Sequence, residues 1–160
     1  MKTLYLVRHA KASWDFDVYD WERPLSEEGI QRGKKVAKAL KAKKVVPDKI
    51  LSSYAFRALN TAVLFANILD YPVSSIEISE NIYEKKAIDI LDMLRKQDDK
   101  LNSIMLFGHD RYITELYNML TRKLLLKMST SSVACIEFNI NRWKDLGNSQ
   151  GKTLFIESGK

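Results

Sequence analysis

Short apolar runs alternate with longer amphipathic stretches along this chain, and the alternation predicts its elements. Residues 3–9, Thr3-Leu4-Tyr5-Leu6-Val7-Arg8-His9, have the length and composition of a buried strand that ends on polar residues. A loop rich in aromatic and acidic residues follows over positions 11–25. Ser26 then caps a helix, with Glu27 and Glu28 in its first turn and Ile30, Ala37 and Leu40 on its apolar face. Pro47 closes that region, and residues 48–53 read as a second strand. A helix over about 54–70 places Ala55, Leu59, Ala62, Phe65, Ala66 and Leu69 at core spacing. A short strand at 76–78 precedes a loop at 80–85.

Ile88, Leu91 and Leu94 mark the next helix, residues 103–107 the third long strand, and Ile113, Leu116, Tyr117 and Leu120 another helix. Residues 133–138 and 153–157 read as two strands joined by a polar turn around Leu146-Gly147-Asn148, a pair open to antiparallel pairing. Strands alternating with helices predict a three-layer α/β/α sandwich around a mostly parallel sheet. No repeat or Pro/Gly-rich linker interrupts the pattern, so residues 1–160 are expected to form one domain.

Composition adds limits. The chain is 46% hydrophobic and 29% charged, as in soluble globular domains. No apolar stretch approaches a membrane span, and a strand begins almost at the first residue, so neither a membrane anchor nor a secretory leader is expected. Cys135 is the one cysteine and lies in an apolar run, where a buried, inert thiol is expected. These features together predict a cytoplasmic protein. The net charge of +6 concentrates in Lys34, Lys35, Lys38, Lys41, Lys43 and Lys44. They interleave with an apolar stripe, which favours a solvated helix face over a nucleic-acid surface. No nucleic-acid module accompanies them.

Candidate chemistry centres on two histidines, the only ones in the chain. His9 ends the first strand, and His109 ends Ile104-Met105-Leu106-Phe107-Gly108. Ligands in open α/β sheets bind beyond the carboxyl ends of the strands, so both imidazoles are expected on one rim. Arg8 joins them there, and Arg57 follows the 48–53 strand. Two imidazoles with two guanidiniums suit an anion such as a phosphoryl group.

The string Leu6-Val7-Arg8-His9-Ala10-Lys11-Ala12, followed by Asp20-Trp21-Glu22-Arg23-Pro24-Leu25-Ser26-Glu27-Glu28-Gly29, strongly resembles the histidine phosphatase superfamily, the phosphoglycerate mutase-like proteins. The likeness is greatest to the short phosphohistidine phosphatases of the SixA type. Ser52-Ser53-Tyr54-Ala55-Phe56-Arg57-Ala58-Leu59-Asn60-Thr61-Ala62 continues it, and Gly108-His109 supplies the second family histidine. The resemblance implies a phosphoglycerate mutase-like fold and a role for each residue. His9 is then the nucleophile, and Arg8, Arg57 and His109 are the rest of the phosphate pocket. Arg23 is either a further phosphate contact or a loop arginine paired with Asp20 or Glu22. Glu84, in Asn81-Ile82-Tyr83-Glu84, is the implied proton donor, with a surface glutamate beside Lys85 and Lys86 as the alternative.

Asp110-Arg111 departs from the Asn-Pro that follows the histidine in many relatives. Asp110 either favours a cationic His109 or caps the next helix. Ser129-Thr130-Ser131-Ser132 is a further candidate phosphate segment. Trp14, Phe16, Tyr19 and Trp21 either line the pocket mouth or pack over the sheet edge.

Competing signatures are incomplete. Asn141 stands six positions after Cys135, where a cysteine phosphatase loop needs arginine. Asp15-Phe16-Asp17 follows no hydrophobic strand, and neither a P-loop nor a zinc-type histidine cluster is present. No cofactor or metal is expected. The expected activity is a metal-independent phosphohydrolase acting on a phosphorylated protein, first of all on phosphohistidine. A small phosphorylated metabolite is the alternative substrate, and a non-catalytic phosphate-recognition module the alternative function. Neither nucleic acid nor membrane is expected as a partner.

Overall fold

Lys2–Arg8 forms strand β1 at the centre of a six-stranded sheet ordered β3-β2-β4-β1-β5-β6. The computed structural model describes residues 1–147 and 150–159, so Asn148 of the expected polar turn lies outside the described residues. The other strands are β2 (Lys49–Ser53), β3 (Glu77–Ser79), β4 (Ser103–Gly108), β5 (Val133–Phe138) and β6 (Lys152–Glu157). β1, β2, β3 and β4 run parallel, β5 is antiparallel to β1, and β6 is antiparallel to β5. A single reversed strand leaves the sheet mostly parallel.

Helices α1 (Glu27–Ala42) and α2 (Phe56–Ile68) cover one face, and α3 (Ala87–Arg95) and α4 (Tyr112–Thr121) the other. The alternation of side chains along β1 explains the two cores. Leu4 and Leu6 join Ile90, Leu94, Ile113 and Leu116 on one face. Val7 joins Val36, Ala37, Leu40 and Phe65 on the other. The sheet is therefore apolar on both faces, as a layer between helices requires.

Ser26 caps α1 as expected, its Oγ accepting from the Gly29 N–H at 3.0 Å. All six named lysines of the α1 region are exposed, so the solvated-face reading holds. Other expectations needed correction. α2 begins at Phe56, two residues late, because Tyr54 and Ala55 form a turn in which the Ala55 N–H donates to Ser53 Oγ at 3.2 Å. β3 is displaced by one residue and lies at the sheet edge. Ile88 is 47% exposed, and Ala87 and Ile90 supply the buried face of α3 instead. Cys135 is buried, and burial pushes its thiol up to about 11, which suits an inert thiol. No helix among the described residues is long and apolar enough to cross a membrane.

Candidate active site

Sheet register brings the two histidines together. β1 and β4 are parallel neighbours with Arg8 opposite Gly108, so the residues that follow, His9 and His109, leave the sheet side by side. Their ring centroids are 5.2 Å apart, and the His9 N–H donates to the Gly108 carbonyl at 3.1 Å. β2 ends at the same level and delivers Ser53, whose Oγ lies 2.8 Å from His109 Nε2.

The Ala10 carbonyl fixes the tautomer of His9. His9 Nδ1 lies 2.7 Å from the Ala10 carbonyl, which only accepts, so Nδ1 carries the proton and Nε2 keeps its lone pair. Burial, with the charges of Arg57, Arg8 and Arg23 adding to it, lowers the His9 pKa to about 4 despite the opposing bond to Ala10. Burial and the nearby His9 and Arg57 lower His109 to about 3. Both rings are neutral near pH 7. Ser53 Oγ accepts from the Ala55 N–H and faces His109 Nε2, with which its hydroxyl can exchange a proton in either direction. His109 Nδ1 is buried and has no partner among the described residues.

Arginines surround the pair. Arg8 Nη1 donates to the Met128 carbonyl at 2.8 Å, while its buried Nε has no partner among the described residues. Arg57 sits in the first turn of α2 and donates through Nη1 to the Asp20 carbonyl at 2.8 Å and through Nη2 to Asp20 Oδ2 at 3.0 Å. Its Nε–H is not used in these bonds. Arg23 stacks on Trp14, with Cζ 3.2 Å from the ring centroid, and donates from Nε to the Ser13 carbonyl at 3.1 Å. Its Nη1 lies 3.5 Å from Asp20 Oδ1, so the expected alternative pairing is present. Arg23 is also close enough to act on His9 through its charge.

The sequence did not single out Asp20 as a hub. Besides Arg57 and Arg23, it accepts from the Tyr83 hydroxyl at 2.6 Å. Burial raises the Asp20 pKa, but the Tyr83 hydrogen bond and the Arg57 charge outweigh that and hold it below the usual carboxylate value. Tyr83 in turn lies edge-on to His109, with centroids 5.3 Å apart. Thr61 is a second unforeseen member. Its hydroxyl accepts from the Ala10 N–H at 2.9 Å and donates to the Arg57 carbonyl at 2.6 Å, tying the His9 loop to α2.

Glu84 shares a cleft of about 140 Å³ with Asp20, Arg57, Tyr83 and His109. Its backbone is left-handed at φ 54, and its side chain is exposed. Asp110 accepts from the Thr114 hydroxyl on α4 and makes no cap bond to the helix backbone. It does not hold His109 cationic, because burial takes that ring the opposite way. Trp14 is 78% exposed, with Phe16 and Tyr19 also largely open, whereas Trp21 packs edge-on against Tyr54 and Phe56. Ser129 and Thr130 line a separate cleft beside Arg8. Among the described residues, no group of three or more His, Cys, Asp and Glu side chains is placed to hold a metal ion.

The model of the histidine phosphatase superfamily, branch 1, matches residues 4–87 of the chain. A chloroplastic protein of Arabidopsis thaliana, itself uncharacterized, is 28% identical over 153 residues, covering 90% of this chain and 70% of that protein. A 2,3-bisphosphoglycerate-dependent phosphoglycerate mutase of Erythrobacter litoralis is 34% identical over 64 residues, or 38% of this chain and 28% of the mutase. The solved structure of the protein histidine phosphatase SixA complexed with tungstate matches with a TM-score of 0.84 and 22% identity, covering 98% of this chain and 97% of that one. The likeness extends over the whole sheet and both helical layers, and at that identity it speaks for the fold.

Proposed function

Because this chain belongs to the histidine phosphatase superfamily, branch 1, and is a phosphatase enzyme, we propose that it hydrolyses phosphohistidine on proteins through a covalent phosphohistidine at His9. The observation that carries this reading is the bond from His9 Nδ1 to the Ala10 carbonyl in a ring whose pKa is lowered to about 4. It leaves Nε2 unprotonated at neutral pH, with its lone pair fixed in direction.

In the first step His9 Nε2 forms a bond to phosphorus as the bond to the leaving nitrogen breaks in line. Glu84 gives that nitrogen its proton. In the second step a water oxygen bonds to phosphorus, the Nε2–P bond breaks, and Glu84 takes the water proton. His9 is restored and inorganic phosphate leaves. Arg8, Arg57 through its uncommitted Nε–H, and His109 stabilise the charge that spreads over the three equatorial oxygens. With that charge supplied by side chains, chelators are expected to leave turnover unchanged.

A protein substrate is favoured because Trp14, Phe16 and Tyr19 stand exposed on the loop that follows His9, where a macromolecular surface can reach them. Leaving imidazole also needs less acid help than an alkoxide, which suits a donor as exposed as Glu84. A small phosphate ester is the alternative substrate.

Rapid-quench experiments with a phosphohistidine peptide and an aryl phosphate test the reading. The expected result is an acid-labile, base-stable phosphoenzyme in the wild type and none in His9→Ala. An alkali-labile adduct, or a His9→Ala variant that still turns over, would overturn it.

A further inference from the structure

On the β5 side of Arg8 lies a cleft of about 440 Å³, lined by Arg8, Lys11, Arg32, Lys127, Ser129 and Thr130. Strand order separates it from the Glu84 cleft, which lies toward β2 and β3. The charges on the two sides differ. Asp20, Glu84 and Asp110 line the cleft beside His109, whereas no carboxylate lines the cleft beside Arg8. Of the four cationic side chains there, Lys11 and Arg32 share Glu28, at 2.7 Å and 2.8 Å, and Arg8 feels the charge of Asp110 from the other cleft. Lys127 makes no ion pair among the described residues.

This cleft is tied directly to the reaction centre. Arg8 belongs to both and is held by its bond to the Met128 carbonyl. The turn carrying Ser129 and Thr130 is fixed to the catalytic strand, because the Ser131 N–H donates to the carbonyls of Arg8 and His9, each at 3.1 Å. Lys11 is two residues beyond His9. A group bound here is therefore registered against the phosphoryl site by the backbone itself.

We propose that the cleft is a subsite for a second anionic group of the substrate, either a carboxylate or a further phosphoryl group. Cationic side chains with adjoining hydroxyls are the donors such oxygens require. The preferred substrate then carries a negative group close to the phosphoryl being removed. The proposal gives the catalytic reading above a substrate preference, but its binding test does not depend on turnover.

Calorimetry at fixed ionic strength compares inorganic pyrophosphate and tripolyphosphate with orthophosphate. The wild type is expected to bind the polyphosphates at least tenfold more tightly. Lys127→Gln and Lys11→Gln, both at exposed positions, should each remove about tenfold of that preference and leave orthophosphate affinity within about twofold. Equal affinity for the three anions, or equal loss toward all of them in the variants, overturns the proposal. The second outcome would mark the lysines as long-range attraction only.

Turnover then distinguishes the source of the anion. A phosphohistidine peptide flanked by Glu, cleaved faster than its Gln counterpart, points to a protein carboxylate. A bisphosphorylated small molecule cleaved faster than its monophosphate points to a metabolite. No turnover of any substrate, with the binding preference intact, sinks the catalytic reading and leaves the subsite standing.

Discussion

Two glycines of α1, four residues apart, should respond to the same substitution with opposite sign. Gly29 lies in the first turn, and a Cβ there would sit 2.1 Å from the Lys11 carbonyl oxygen, against a practical limit of 3.0 Å. That oxygen cannot retreat freely, because the Ser26 N–H donates to it at 2.9 Å and the Ser26 hydroxyl at 3.1 Å. Opening the gap by roughly 1 Å sacrifices bonds worth about 1 kcal/mol each and adds an overpacking cost of about 1–3 kcal/mol. The gain in helix propensity offsets at most about 1 kcal/mol. Gly29→Ala is therefore expected to lose about 2–4 kcal/mol, lowering Tm by about 5–15 °C for a chain of this size. At Gly33 the added Cβ meets Ala10 Cβ and Leu64 at 3.7 Å, an ordinary contact. Gly33→Ala should be neutral or raise stability by up to about 1 kcal/mol. Thermal and urea unfolding followed by circular dichroism measure both. An unchanged or raised Tm in Gly29→Ala would refute the view that Lys11 is clamped onto α1.

Acid should affect folding and chemistry differently. Both histidines have folded-state pKa values below their ordinary value, to about 4 and about 3, so on acidification the unfolded chain takes up protons first. Their contribution to stability is full above about pH 6.5 and is lost as pH falls through about 4 for His9 and about 3 for His109, while the His9→Asn, His109→Asn double substitution should flatten that part of the urea-midpoint profile. Phosphoenzyme formation in a single turnover should persist at pH 5.5, and a loss centred on pH 6.5 would contradict a depressed His9. Asp20→Asn retains an acceptor but removes the charge that aligns Arg57, Arg23 and Tyr83. It should weaken orthophosphate binding about tenfold and have little further effect in an Arg57→Ala background; full additivity would show that Asp20 does not act through Arg57.

The fold was legible where the hydrophobic period was unambiguous. β1, β4 and β5 are built on short apolar runs, and their boundaries agree with the sequence pattern to within one residue. The residues beyond parallel strands share one rim, so the His9–His109 pair followed from sequence order. Ile88 misled because a helix as short as α3 buries a narrow stripe, which Ala87, Ile90, Leu91 and Leu94 fill. Asp20 shows the limit on the site side. Its spacing to Arg23 was visible, but Arg57 and Tyr83 lie 37 and 63 residues further along, and only tertiary packing brings them to it. The Thr61 bridge is equally non-local on the Ala10 side.

The central position of β1 has a consequence for synthesis. β1 leaves the ribosome before either of its sheet neighbours and stays unpaired until Ser103–Gly108 follows it, while its other edge waits for Val133–Phe138. Until then Leu4, Leu6 and Val7 belong to an unpaired apolar strand, the kind of segment that chaperones hold and aggregates recruit. His9 gains its neighbour His109 only once β4 has been made. Phosphatase competence therefore waits on long-range closure of the sheet around β1.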